Sequence, residues 1–361
     1  MGALTLKRNA RLKARETETI MIKQRTMGRT GRKLSELSLG TLNFGWKTNE
    51  TAAHAILDAY YHAAGNFIQA ANWSTEHLLP SLAVNRSEEL VGRWWTTRRI
   101  PRHELFLATR VHVRHPAPGE GNFIKAVREA LQDSLRRLRT PYLDMVIFEW
   151  NDRLVPIDLT LEVFDLAVRS GAARYIGAAN FPAWRISDAI GRAYLDNHNR
   201  VEALQSDYSL MTRARFEPEA MALCQEQRLG FFATSPLAGG FLARGGAVET
   251  MFHAARRDRL MERYGNAYGR AAQSAVAEVA ARHAASSAQI ALAWVLHNPA
   301  VTAAVIGVHS VRQLNDLAQA GSLPLSTADI ELLDRATALE EVRLSPAFTR
   351  ARAVQEELML N

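Results

Sequence analysis

With a single cysteine in 361 residues, Cys224, the chain has no internal disulfide framework. The residue follows Met221 and Leu223 in a helical pattern and reads as a buried core thiol. So sparing a use of cysteine fits a reducing, cytoplasmic location. Apolar runs of about 18 residues are also missing, so no segment is expected to span a membrane. No Gly-, Ser- or Pro-rich linker divides the sequence, and one domain is expected over residues 21–340, with a C-terminal extension over 341–361. Residues 1–20 lack an apolar core segment. They read as a disordered basic tail, as the product of a start site upstream of Met21, or as a targeting peptide. The formal charge of +7 gathers in that tail (Lys7, Arg8, Arg11, Lys13, Arg15) and on helical faces such as Arg136, Arg137 and Arg139. Solvated faces account for the excess, and no nucleic-acid partner is expected. His112 and His115 stand at a spacing a metal can use, but no cysteine or carboxylate accompanies them, so no metal is expected.

What the chain does have is hydrophobic content, 47%, in an orderly alternation. Short apolar runs (ELSLGTL, NFIQAA, ELFLATRV, YLDMVIF, ARYIGAAN, VEALQSD, LGFFATS, VTAAVIG) are each followed by an amphipathic stretch. One such stretch, NFIKAVREALQDSLRRL, places Phe123, Val127, Leu131, Leu135 and Leu138 on one stripe behind Asn122 as N-cap. The strand runs are nearly continuous in apolar residues, which marks strands buried on both faces. About eight such units in one chain predict an α/β fold of the (β/α)₈ TIM-barrel class. Extra helices are expected at SSAQIALAWVLHNP and from Ser326, where Asp329 stands at capping-box spacing. A small N-terminal hairpin is expected around Gly28 and Gly31, and a long loop after the seventh barrel strand, from Ser235 to about Arg270.

Chemistry in such a barrel collects where the strands end. Those ends carry Gln69 and Ser74, Arg110, Glu149, Asn180, Gln205, Ser235 and the His309 region. Arg110 and Glu149 end neighbouring strands and are expected to form a buried ion pair. Trp46, Trp73 and Trp150 follow strand ends, where they either line an apolar or aromatic substrate pocket or pack beneath loops.

Read together, GRTGRKLSELSLGTLNFGW, RYIGAANFPAW, QSDYSLM, SPLAGGFLARG and SSAQIALAWVLHNPAVTAAVIGVHSVRQL resemble, in order, blocks of the aldo-keto reductase superfamily. The resemblance spans roughly Gln24 to Ala338. It implies NADPH-dependent carbonyl reduction, in which a tyrosine donates the proton, a lysine paired with an aspartate tunes it, and a histidine orients the substrate. The aspartate position holds Gln69, the tyrosine position Ser74, the lysine position Arg110 and the histidine position Glu149. For the cofactor, Asn180 and Gln205 match the residues that hold the nicotinamide carboxamide, although Ala179 replaces the usual serine. Ser235, Leu237 and Gly239 match the pyrophosphate loop. His309 stands where a phosphate-binding arginine is expected, with Arg312 as a substitute cation and Gln313 retained.

These substitutions undercut the standard hydride-transfer chemistry. An aliphatic hydroxyl is a far weaker acid than a phenol, and glutamine cannot ionise. Arginine stays charged, so Arg110 can hold an oxyanion but cannot exchange a proton. Glu149 is the titratable member of the set, and an arginine partner favours its ionised form. Three readings stay open. The first is a non-redox acid–base enzyme (dehydratase, cyclase or isomerase type), or a binding protein, for a small carbonyl-containing molecule. The second is an NADP(H)-dependent oxidoreductase with an unorthodox proton donor. The third is a non-catalytic scaffold or regulatory subunit. NADP(H) binding is expected to be weakened or lost, and oligomerisation is left open.

Overall fold

The computed structural model describes residues 21–72, 86–112, 122–149, 155–243 and 251–338. Its strands are β1 (Gln24–Thr26), β2 (Lys33–Ser35), β3 (Leu37–Gly40), β4 (Phe67–Ala71), β5 (Phe106–Val111), β6 (Leu143–Phe148), β7 (Ala173–Ala179), β8 (Ala203–Asp207), β9 (Gly230–Thr234) and β10 (Ala303–Ile306). β3 to β10 form a closed barrel in sequence order, every neighbouring pair parallel, with β10 returning to β3. β1 and β2 pair antiparallel as the expected hairpin.

Helices cover the barrel: α1 (Glu50–His62), α2 (Arg86–Thr97), α3 (Phe123–Leu138), α4 (Ile157–Arg169), α5 (Ala183–Leu195), α6 (Ala220–Glu226), α7 (Met251–Tyr264), α8 (Ala267–His283), α9 (Ser287–His297), α10 (Val311–Ala318) and α11 (Thr327–Ala336). Their boundaries follow the capping chemistry. The Asn122 side chain accepts the Lys125 N–H at the start of α3. Ser286 with Gln289, and Ser326 with Asp329, form full capping boxes. Gly171, just beyond α4, adopts φ +76°, the left-handed conformation that glycine enters at no steric cost.

The expected loop after the seventh barrel strand is interrupted by α7, and α8 begins at Ala267 rather than near Arg270. From 257 to 263 this helix is exposed apart from Leu260, so its described part offers little burial for apolar periodicity to record. Its sequence, MFHAARRDRLMERY, is nonetheless rich in Ala, Met, Leu and Arg, residues that favour helix intrinsically.

Strand alternation divides the core in two. Phe67, Phe106, Ala108, Met145, Ile147, Ala179, Ala203, Phe232 and Ala303 pack together inside the barrel. The residues between them, such as Ile68, Leu107, Val146 and Leu204, face the helices in a larger cluster. Met27 and Leu34 of the hairpin, both fully buried, close the N-terminal end of the inner cluster. Above them Phe67 meets Phe106 edge-on at 5.2 Å and Phe232 at 4.8 Å. Gly28 makes this closure possible: its φ is +44°, and a Cβ there would stand 2.1 Å from the Arg228 carbonyl oxygen. The lower barrel is thus apolar and filled, and polar chemistry is confined to its upper end. Cys224 is buried as expected, and burial pushes its thiol pKa up to about 12. Trp94 is fully buried and donates to Asp58 at 2.8 Å, while half-buried Trp95 donates to the Leu138 carbonyl at 2.9 Å. Among the described residues no helix is long and apolar enough to cross a membrane.

Two polar anchors fasten helices to this frame. Fully buried Glu88 of α2 accepts from Thr109 of β5 at 2.6 Å and from the Arg137 guanidinium of α3 at 2.7 Å. Breaking a buried pair by removing one partner costs about 3–5 kcal/mol. Glu88→Ala should lose stability of that order in urea unfolding, and the double variant Glu88→Leu/Arg137→Leu should lose less; an unchanged midpoint for the single variant contradicts the assignment. At α11, Asp329 accepts from His283 at 2.9 Å, from Ser326 at 2.7 and 3.1 Å, and from Arg282 at 3.0 Å. His283 foremost, with Ser326 and Arg282, holds this carboxyl well below the usual carboxylate range against the opposing effect of burial. A carboxyl depressed by folding stabilises the native state above its unfolded pKa of about 4 and loses that contribution as the pH falls below it. Asp329→Asn should therefore lower Tm at neutral pH and flatten its decline between about pH 4 and pH 2, as followed by circular dichroism.

Candidate active site

The upper layer of the barrel begins with two buried amides. Gln69 comes from β4 and Gln205 from β8, diametrically opposite strands of the closed ring, and the side chains meet in its interior. Gln69 Nε2 donates to Gln205 Oε1 at 2.6 Å, and Gln205 Nε2 donates back to Gln69 Oε1 at 3.3 Å. A buried carboxamide without a partner pays its full desolvation cost, so this reciprocal pair is what lets both residues sit inside.

Arg110 lies one layer closer to the mouth. The β4–β5 register sets Gln69 beside Ala108 and Ala71 beside Arg110. Glu149 follows β6 directly, its backbone N–H donating to Val111 O at 3.0 Å. The expected ion pair is present: Arg110 Nη2 bonds Glu149 Oε2, with the two side chains only 18% and 17% exposed. Asn180, at the end of β7, donates from Nδ2 to the other carboxylate oxygen at 2.9 Å. Its φ of +61° is a conformation asparagine tolerates better than most residues, and its N–H donates to Gln205 O at 2.9 Å. Three consecutive strand ends therefore give a cation, a carboxylate and an amide bonded in a row. Charge-assisted bonds of this kind are the strong ones, and they hold Glu149 in one orientation.

Sequence reading weighed His112 only as a metal ligand and assigned Asn72 no role in this belt. Asn72 bridges β4 and β5: its N–H donates to Arg110 O, and its Oδ1 accepts the His112 N–H, both at 3.1 Å. His112 Nδ1 lies 2.8 Å from the Glu149 carbonyl oxygen, which can only accept, so Nδ1 carries the proton. Both residues stand at strand ends, and that position was the available signal. His115 lies outside the described residues, and among those described no group of His, Cys, Asp and Glu forms a metal-binding cluster.

Ser74, Trp73 and Trp150 also lie outside the described residues. Trp46 is half-buried beneath the Lys47 ammonium, 4.2 Å above its ring. It borders a cavity of about 500 Å³ whose other walls include Arg86, Glu89, Leu90 and Arg93, a charged lining rather than an aromatic one. Ser235 (φ +52°), Leu237 and Gly239 (φ +70°) form a tight turn after β9. This turn closes on itself, Ala238 N–H donating to Ser235 O and Gly240 N–H to Leu237 O. His309 Nδ1 meets Thr48 Oγ1 at 3.2 Å, and the His309 N–H donates to Gln313 Oε1 at 2.8 Å. Arg312 is exposed on the first turn of α10. Tyr208 is unsuited to proton donation. It is fully buried, its hydroxyl donates to Glu217 and accepts from Asn298, both at 2.9 Å, and burial pushes its pKa well above that of a free phenol.

The model of the aldo/keto reductase family matches residues 36–338. The chain is 32% identical to the uncharacterized oxidoreductase YrpG of Bacillus subtilis (strain 168), over 85% of this chain and 94% of that protein. It is 30% identical to the norsolorinic acid reductase stcV of Emericella nidulans, over 84% and 78% of the two. It is 27% identical to a probable voltage-gated potassium channel subunit beta of rice, Oryza sativa subsp. japonica, over 85% and 93%. A closed parallel barrel, an N-terminal hairpin across its floor and a family match over most of its length establish that this chain belongs to the aldo/keto reductase family.

Proposed function

We propose that this barrel carries out non-redox acid–base chemistry on a small carbonyl-containing molecule, of the dehydratase, cyclase or isomerase type, without the family's standard hydride transfer. One observation carries the reading. Both carboxamides that the family resemblance assigns to nicotinamide are engaged within the protein, Gln205 by Gln69 and Asn180 by Glu149. The partners are residues at two of the substituted positions. A nicotinamide amide entering here would compete with both contacts, which supports weakened binding of that cofactor.

The groups at the mouth support a different step. The Arg110 guanidinium is suited to hold a carbonyl oxygen as it gains charge. Glu149 takes a proton from the adjacent carbon: the C–H bond breaks, its electron pair becomes the enolate, and the proton resides on the carboxylate until it is returned or lost with a leaving group. Asn180 positions the carboxylate through its 2.9 Å bond. The second reading, an NADP(H)-dependent reductase with another proton source, draws on relatives named as an oxidoreductase and a reductase.

The readings separate in two measurements. With NADPH titrated into the protein, cofactor fluorescence should show no saturable change in the micromolar range. Gln69→Ala, which releases Gln205, should strengthen binding by roughly tenfold, about the worth of one hydrogen bond. Tight wild-type binding together with carbonyl-dependent NADPH oxidation supports the reductase reading and rejects ours. In D₂O without any nicotinamide, the protein should exchange the α-proton of small ketones and aldehydes, detected by NMR. Glu149→Gln should slow that exchange by about 10²–10⁴-fold; equal rates for the two proteins would remove Glu149 from the chemistry.

A further inference from the structure

We infer that the outer face of α5 is a two-fold interface through which two copies of this chain associate. Among the described residues, the large apolar side chains more than half exposed are Met21, Trp184, Tyr194, Leu195 and Met261, and three of these lie on this one helix. The inner face, with Arg185, Ile186, Ala189, Ile190 and Ala193, is buried against the barrel. On the outer face Trp184, Ser187, Gly191 and Tyr194 are all exposed and follow one another at spacings of three, four and three, with Leu195 beside the last. Residues at these intervals form one stripe, the spacing by which two helices pack along their length.

The stripe is self-complementary in the antiparallel sense. About a two-fold axis passing beside Ala189, Trp184 of one copy faces Tyr194 of the other, and Ser187 faces Gly191. Large residues stand at the ends and small ones at the centre, so the helices can approach closely in the middle while the aromatic rings close over both ends. Among the described residues, a Cβ at Gly191 would meet nothing within 4 Å, so packing within the described chain does not require a glycine there. A glycine inside a helix costs roughly 1 kcal/mol relative to alanine, and close approach by a second helix gives it a purpose.

Charge and area agree. Asp188 and Arg192 flank the stripe on one side, 40% and 44% exposed, and already bond each other at 3.0 Å. The same two-fold axis brings each near the opposite charge of the second copy, at the rim where such pairs guide register. Trp184, Tyr194 and Leu195 are 59%, 88% and 80% exposed. With aromatic side chains carrying ~150–250 Å² each, two such faces would bury about 1,000 Å² together, the area at which specific interfaces begin.

Sedimentation velocity over a concentration series tests this on the full chain. Wild type should reach a dimer, and Trp184→Glu and Tyr194→Glu should each weaken association by roughly thirtyfold or more while far-UV circular dichroism stays unchanged. Cys224 is buried, so Ser187→Cys/Gly191→Cys supplies the accessible thiols, and mild oxidation should give a covalent dimer. A monomeric wild type overturns the inference. So does a dimer that both glutamate variants leave intact and that the cysteine pair fails to cross-link.

Discussion

Closing eight parallel strands into a ring leaves no sheet edge and almost no water inside, and this constraint governs the molecule. Every second side chain of each strand must enter a dry interior. At the lower end Phe67, Phe106 and Phe232 fill the space, and the hairpin residues Met27 and Leu34 seal it. At the upper end some inward positions, Gln69, Arg110 and Gln205 among them, are polar, and a polar group held there needs a partner from another strand. Gln69 reaches across to Gln205, and Arg110 reaches its neighbour Glu149.

This constraint also explains why the unusual residues come in matched sets. On the alignment that the family resemblance implies, Gln69 stands for an acid and Arg110 for a lysine. An arginine at that height still requires a negative charge. It finds one in Glu149, at the end of the neighbouring strand. Gln69 carries an amide that pairs with the amide of Gln205. Hydrogen bonding is thereby satisfied at both levels of the upper barrel.

Much of the architecture was legible before any coordinates. Strands buried on both faces write continuous apolar runs, and the helices over them write stripes such as Phe123, Val127, Leu131 and Leu138, all buried as expected. Helix α7 escaped because it is exposed through most of its described length, and apolar periodicity records burial rather than helicity. At the site, Arg110 with Glu149 could be anticipated because neighbouring strands end together. Asn72 and His112 also stand at strand ends, but their partners could not be read, since their bonds run to backbone atoms of adjacent strands, N–H and C=O groups that every residue carries alike.

The sequence by itself determined the family, the strand order, most of the helices, the cap residues and the polar strand ends Gln69, Arg110, Glu149, Asn180 and Gln205, because each of these depends on residues near one another in the chain. Only the tertiary structure decided who pairs with whom. Gln69 and Gln205 are 136 positions apart and on opposite strands, and ring closure alone brings their amides within 2.6 Å. Asn180 likewise turns to Glu149 because its own backbone is held in a left-handed conformation at the strand end. A list of polar strand ends names the members of a site, while the hydrogen bonds that commit them depend on distances that exist only after the barrel has closed.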